Sequence, residues 1–518
     1  MSASTEKKLR QAARQAGTDK KTLAMEKEAK EKAKQKRRWT LGTIAVILLI
    51  AFIFFLNSNL LYRTTALTIA DEDYSASQMS YYYGEQYYYM VNQYGSYVSL
   101  FGLDTSSGLK GLDDQPCTIS TEEMSWRDYF LQTAESTLVQ EKALRDYAAE
   151  NGIELTQEEL DAVEASFDGM EEYATSQGYA SADNLFAANY GPGVNTDMVR
   201  TANRDSTLAS KAMTEYSDGL EFSQEEIDET YAAYNGEQDY FNYAYYYVLA
   251  ETTEVTGEDG ETTSQVSDEA LAASEDTANA ILEAYLSGEE EDYVERLNAA
   301  VASQVEDASA TQPGKVQGAS LGSYKEWMMD SARKAGDATV SADSSGSGYY
   351  VVVFLSRDNN DYNMAQVRHI LVKVVADEEG NYTEEAKAEA LAKAEDILAE
   401  YEAGDKTEES FAALAEEYSE DTGSNTNGGL YDAVTKGQMV EEFDKFCFEG
   451  HKHGDTAIVY GESSSYAGYH VMYYVGEGEN YADYIARTDL ENQAVSQWLS
   501  DITAGYTAVE GFGIRFVG

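Results

Sequence analysis

Four histidines occur in 518 residues, and two of them stand inside runs built like β-strands. His369 lies in Arg368-His369-Ile370-Leu371-Val372 and His470 in Gly468-Tyr469-His470-Val471. Between them come Tyr418-Ser419-Glu420-Asp421, Asn427-Gly428-Gly429-Leu430, Lys436-Gly437-Gln438-Met439-Val440 and Gly454-Asp455. Imidazoles and a carboxylate are groups that hold or polarise protons near neutral pH. No nucleotide loop, catalytic-triad spacing or hydrolase signature accompanies them. Taken singly, each residue has an ordinary explanation. A strand histidine is usually a hydrogen-bonded core residue, and Met439 and Phe443 on one helical face usually pack a core. The ordered set between Val367 and Val475 is what requires a function. His451 and His453, in a Gly-His-Lys-His-Gly turn without a nearby cysteine, read as loop residues and not as metal ligands.

That order of motifs resembles a parvulin-type peptidyl-prolyl cis/trans isomerase. The resemblance implies a small α+β domain with an antiparallel sheet over 358–478. It assigns catalytic positions to His369, Asp421 and His470, the two imidazoles lying on adjacent central strands. Met439 and Phe443 become the apolar walls of a proline pocket, with Leu430 or Tyr431 beside them. No metal and no cofactor are implied. Rotating an X-Pro bond is opposed by a barrier of about 20 kcal/mol from amide resonance. No nucleophile is needed: the site must bind the twisted amide better than either planar form. Three departures bear on substrate preference. Gly429-Leu430-Tyr431-Asp432 stands where many members have Gly-Asp-Leu-Gly, Ala467 where some have Ser or Thr, and Val440 where Gln is frequent.

The elements that must position these residues are legible from periodicity. A strand over Gln366–Val375 and an acidic loop at Asp377–Gly380 precede a helix from Thr383 to about Glu402. Ala388, Leu391, Ala394, Ile397 and Leu398 share one face of that helix. Helices over Ser410–Tyr418 and Val440–Phe448 and a closing strand over Tyr469–Val475 complete the domain. Gly428-Gly429 permits positive φ in the turn between them. An internal repeat precedes it. Tyr243–Ala250 has the strand pattern of Gln366–Lys373, Gly336-Asp337 echoes Gly454-Asp455, and Gly348-Tyr349-Tyr350-Val351 echoes Gly468-Tyr469-His470-Val471. Residues 237–357 therefore read as a degenerate parvulin-like domain with Tyr247 and Tyr350 at the histidine positions, without the Ser-Glu-Asp and Gly-Gln-Met segments.

Upstream, 63–236 reads as a helical module. A Tyr/Ser/Gly-rich lead-in with Tyr81-Tyr82-Tyr83 and Tyr87-Tyr88-Tyr89 is expected to pack on the helices C-terminal to it. Capping-box spacings occur at Ser120/Glu123, Thr156/Glu159 and Ser223/Glu226, and Trp126, Phe130, Ala134 and Leu138 recur on one helical face. Helices ahead of an isomerase resemble the extracytoplasmic foldases of the PrsA and SurA type, whose N-terminal part serves as a chaperone module. Residues 479–518 read as a helix and a last short strand at Ile514–Val517, which the resemblance allows to return to that module.

Charge divides the chain. Its 37 Lys+Arg face 93 Asp+Glu, a net of −56, yet residues 1–38 carry 13 basic against 5 acidic side chains, leaving 24 against 88 for the rest. Such acidity excludes the basic surface that nucleic-acid binding requires. Trp39 to Tyr62 holds no charge. At 1.5 Å per residue that run is long enough for a hydrocarbon core of about 30 Å. The expectation is a basic cytoplasmic tail (1–38), an uncleaved transmembrane anchor (39–62) and an extracytoplasmic remainder. Only Cys117 and Cys447 are present, so no disulfide framework is expected, and sequence leaves open whether they pair.

The function expected from this reading is a membrane-anchored prolyl isomerase and chaperone for unfolded or partly folded secreted proteins containing X-Pro bonds. The alternative is a holdase that grips peptides with little turnover. An acidic, tyrosine-rich adhesin would leave the ordered motifs without a role.

Overall fold

The computed structural model describes residues 2–17, 20–57, 59–256, 262–377, 379–463 and 466–518, with 20, 22, 26, 51–57, 255, 256 and 262 described in backbone only. The chain divides into two compact units, Met1–Leu220 with Ala494–Gly518, and Glu221–Gln493. The short helix Gln224–Ala233, capped by the Ser223/Glu226 box, belongs to the second.

In the first unit the basic tail continues into one helix, Lys20–Asn57. Among the described residues no helix is long and apolar enough to cross a membrane. This corrects the anchor expected over 39–62. The leading half of the helix is densely charged, and the described apolar stretch Trp39–Ile50 covers only about 18 Å at 1.5 Å per residue. Side chains of the expected anchor from 51 to 58 lie outside the described residues, and a 3₁₀ turn occupies Leu61–Arg63. Strands β1 (Thr65–Ile69), β2 (Glu72–Ser75) and β13 (Ala508–Glu510) form a small antiparallel sheet in the order β13-β1-β2. C-terminal chain thus returns to this unit through β13, while the expected strand at 514–517 is instead part of a 3₁₀ turn, Phe512–Phe516. Arg127 locks that turn by donating from Nη2 to the carbonyls of Ile514 and Val517, both at 3.1 Å.

The tyrosine-rich lead-in is a helix, Ala76–Tyr94, opened by a Ser75/Gln78 capping box. Tyr81, Tyr82, Tyr83 and Tyr87 are buried, and Tyr83 and Tyr87 meet Phe130 edge-on. Trp126, Phe130, Ala134 and Leu138 form the predicted buried stripe of helix Trp126–Asn151. That helix is capped by Ser125, not Ser120, because Ser120 Oγ accepts from the Glu122 amide in a tight turn while Cys117 and Met124 pair through their backbones. Thr156 and Glu159 form the expected capping box. Cys117 and Cys447 are unpaired and buried.

The second unit holds two four-stranded antiparallel sheets of the same order. The first contains β3 (Tyr240–Leu249), β6 (Lys315–Gln317), β7 (Ala338–Ala342) and β8 (Gly348–Asp358), ordered β6-β3-β8-β7, with a separate hairpin of β4 (Thr252–Thr256) and β5 (Thr262–Val266). The second contains β9 (Asn363–Lys373), β10 (Leu430–Val434), β11 (Thr456–Glu462) and β12 (Ala467–Asn480), ordered β10-β9-β12-β11. Both turn into their third strand through the same device. The amides of Gly336 and Gly454 donate to Phe354 and Tyr474, whose amides bond back to Asp337 and Asp455.

That register corrects one residue of the repeat. Tyr350 corresponds to His470; Tyr245 opposes Val352 as His369 opposes Met472. Tyr245, not Tyr247, therefore occupies the His369 position. Its outer edge bonds Thr311, as the His369 amide bonds the Gly429 carbonyl. The first sheet carries packed tyrosines instead of imidazoles: Tyr350 lies 5.6 Å from Tyr245 and 5.4 Å from Tyr324, centroid to centroid.

Candidate functional site

Strand alternation places the histidines. On β9, Ile370 and Val372 point to the side packed by helices Glu384–Ala403 and Glu408–Tyr418, with Ala394, Phe411 and Val471. Val367, Met472 and Tyr474 occupy the opposite side, under Phe443 and Phe446 of helix Glu441–Phe448. His369 and His470 share the face of Val367 and Met472. His470 is paired with Leu371, so the two imidazoles are diagonal neighbours, within reach for ring side chains.

Their Nδ1 atoms are 3.0 Å apart, and both residues are buried. His369 Nε2 lies 2.9 Å from Asp421 Oδ2 and 3.2 Å from Ser424 Oγ. Asp421 also accepts from the hydroxyls of Ser424 at 2.6 Å and Tyr431 at 3.0 Å, and from the Gly423 amide at 3.1 Å. The hydrogen bond from His369, with those from Ser424 and Gly423, holds the Asp421 carboxyl well below its usual range despite burial. An ionised Asp421 can only accept, so His369 Nε2 is the donor. The facing Nδ1 atoms share one hydrogen bond, in which one ring donates and the other accepts, and His470 Nε2 is hydrogen-bonded to the Tyr466 hydroxyl, 3.2 Å away. Burial, reinforced by His369, pushes His470 down to about 3. Burial and Asp421 push the Tyr431 phenol up to about 12.

These hydrogen-bonded side chains floor a cavity of about 480 Å³ lined by His369, Leu371, Lys373, Asp421, Tyr431, Gln438, Met439, Val440, Phe443, Tyr466 and His470. Phe443 stands edge-on to both imidazoles, at 5.4 and 5.2 Å. Of the residues singled out in the sequence, His369, Asp421, His470, Tyr431, Met439 and Phe443 converge here. Leu430 does not line the cavity: it is paired with Arg368 on β10, and alternation turns it away from the face that Tyr431 presents. Sequence reading missed Ser424 and Tyr466, the two hydroxyls that complete the hydrogen-bond chain. Ser424 is three residues past Asp421 and Tyr466 four before His470, offsets without periodic meaning in loops. Gly429, at φ +71°, could not carry a side chain, because a Cβ would press into the His369 carbonyl oxygen. The other histidines are engaged elsewhere: His453 Nδ1 donates to the Val475 carbonyl at 2.8 Å, and His451 stacks on Phe446.

Residues 350–474 match the PPIC-type PPIASE domain family. This part of the chain is a PPIC-type peptidyl-prolyl isomerase domain of the parvulin class. Over 74 residues the chain is 40% identical to foldase protein PrsA 1 of Listeria innocua, covering 14% of this chain and 24% of that protein. The chain thus spans about a quarter of the length of the curated relatives it matches. Among solved structures, PrsA from Bacillus subtilis aligns over 74% of this chain and 90% of its own, at 15% identity and a TM-score of 0.27. Peptidylprolyl isomerase PrsA from Bacillus anthracis aligns over 28% and 59%, at 20% identity and a TM-score of 0.18.

Proposed function

We propose that the chain is an extracytoplasmic foldase, a peptidyl-prolyl isomerase and chaperone acting on unfolded or partly folded secreted proteins with X-Pro bonds. The observation that carries the isomerase reading is the chain of hydrogen bonds Tyr466–His470–His369–Asp421 beneath an apolar-walled cavity. Met439 and Phe443 hold the proline ring, and Tyr431 bounds the peptide on the Asp421 side. His369 and His470, held in line between a hydroxyl and a carboxylate, set a floor that suits a twisted amide, whose carbonyl has lost resonance, better than a planar one. Each tenfold in rate requires about 1.4 kcal/mol of that preference. Neither imidazole forms a bond to substrate.

The first sheet of the second unit reads as a duplicate that retains the fold without the isomerase site, since tyrosines replace both imidazoles and, among the described residues, no carboxylate equivalent to Asp421 bonds them. It supports binding or spacing and not turnover. The helical part of the first unit reads as the chaperone module. Isomerisation of X-Pro tetrapeptides by the whole chain and by His470→Ala, with suppression of aggregation of an unfolded protein measured on both, tests the reading. Turnover lost in the variant with aggregation suppression kept is expected. Absent turnover in the unaltered chain with suppression intact would leave a holdase.

A further inference from the structure

A quarter of this chain's residues are charged, and the net is −56, yet Gln86 through Leu103 contains no charged residue. The segment is not a core element throughout. It forms the end of helix Ala76–Tyr94 and the 3₁₀ turn Gly95–Phe101. Tyr87 and Val98 anchor it inward, while Tyr89, Tyr97 and Leu100 stand 69%, 67% and 76% exposed. Against its helical part lies a cavity of about 540 Å³, lined by Glu85, by the rings of Tyr88, Tyr89 and Tyr190 and by the amide side chains of Asn92, Gln93 and Asn189. Tyr88 and Tyr190 are fixed by their hydroxyls, which donate to the Asn189 carbonyl at 3.1 Å and to Glu85 Oε1 at 2.6 Å. The three amide side chains make no hydrogen bond among the described residues.

We propose that this cavity and the uncharged ridge beside it bind an extended, uncharged segment of unfolded polypeptide, at a site separate from the isomerase cleft. Each carboxamide offers both a donor and an acceptor, which matches the alternating N–H and C=O of an extended backbone. Tyrosine supplies wide contact area with little rotamer entropy to lose, and Asn, Gln, Ser and Gly supply adaptable hydrogen bonds, the composition that lets one surface accept many sequences. The ridge from Gln86 to Leu103 carries no charge, and the one carboxylate lining the cavity, Glu85, already accepts from the Tyr190 hydroxyl, so a segment without basic residues can lie there on a strongly acidic protein without stripping that carboxylate of its partner. The inference rests on the reading of the chain as one that handles unfolded polypeptide, and it names where in the first unit such chain is held.

The test uses the full chain and a capped, proline-free, fluorescently labelled decapeptide of Leu, Phe, Ser and Asn. Tyr89→Ser combined with Asn92→Ser alters two solvent-facing side chains, and a thermal melt of the variant checks that the fold is kept. The expected result is binding of the peptide weakened tenfold or more, with kcat/KM on X-Pro tetrapeptides unchanged. Equal binding by the variant overturns the inference. So does displacement of the decapeptide by an X-Pro tetrapeptide, which would put it in the isomerase cleft. Binding of phosphatidylcholine vesicles that is lost in the variant, with peptide binding kept, would make the ridge a lipid contact and also overturn it. Failure of the isomerase reading registers separately, as absent turnover in the unaltered chain.

Discussion

The Nδ1 atoms of His369 and His470 face each other at 3.0 Å across the β9–β12 pair, although the residues are diagonal and not directly opposed. One must donate and the other accept, while the Asp421 carboxylate accepts from the other nitrogen of His369. The hydrogen-bond chain continues from His470 to Tyr466. Replacing Tyr466 by Phe leaves the buried His470 Nε2 without its hydrogen-bond partner, a loss of about 1–3 kcal/mol for an unsatisfied buried group. The expected outcome is a drop in kcat of about 3- to 30-fold with KM little altered, read by steady-state isomerisation kinetics.

Acid should weaken the second unit through His470. Burial holds its pKa near 3, while an unfolded histidine titrates at about 6.5. Between those values the unfolded chain binds the extra proton, so stability rises with pH, at most about 1.4 kcal/mol per pH unit. Asp421, also held low, adds a loss of the same sign below about pH 4. Calorimetric unfolding between pH 4.5 and 7 should show a transition whose acid dependence is reduced in His470→Phe.

The first unit should respond in the opposite direction. Glu141 is buried, accepts from the Tyr82 hydroxyl at 2.9 Å, and is pushed up to about 7 chiefly by desolvation, with Tyr82 and Arg145 opposing. A carboxyl raised in the folded state contributes stability that is fully present below its unfolded value of about 4.3 and is lost as pH rises through 7. Glu141→Gln should flatten that fall between pH 5 and 8, followed by tryptophan fluorescence, since Trp126 and Trp498 both lie in this unit.

Gly429 is expected to be intolerant. Its φ of +71° alone costs an alanine about 1 kcal/mol, and the collision with the His369 carbonyl adds to it. Gly429→Ala should lower the melting temperature by several degrees and reduce kcat/KM at least tenfold, because the displaced backbone carries His369.

Much of this site was legible in sequence, since the imidazoles, Asp421, Met439 and Phe443 sit in motifs whose order survives as a set. The Tyr245 assignment was not. Shifting a strand by two residues keeps every side chain on its own face, so alternation cannot separate Tyr245 from Tyr247; only the pairing with Val352 and the Thr311 bridge does. The helix Ala76–Tyr94 was hidden because tyrosine repeats mask a periodic apolar face, although Ser75 and Gln78 carried its capping signal. The apolar run after Trp39 read as a membrane span from composition, and the described helices contain none.

The most direct test of the central claim asks which of the two sheets turns substrate over. The double variant Asp421→Ala/His470→Ala keeps the first sheet and its tyrosines intact while dismantling the second sheet's hydrogen-bond chain. Steady-state isomerisation of X-Pro tetrapeptides by the full chain should fall in it to the uncatalysed rate. Retention of more than a tenth of the original kcat/KM would contradict the account and place catalysis outside the His369–His470 cleft.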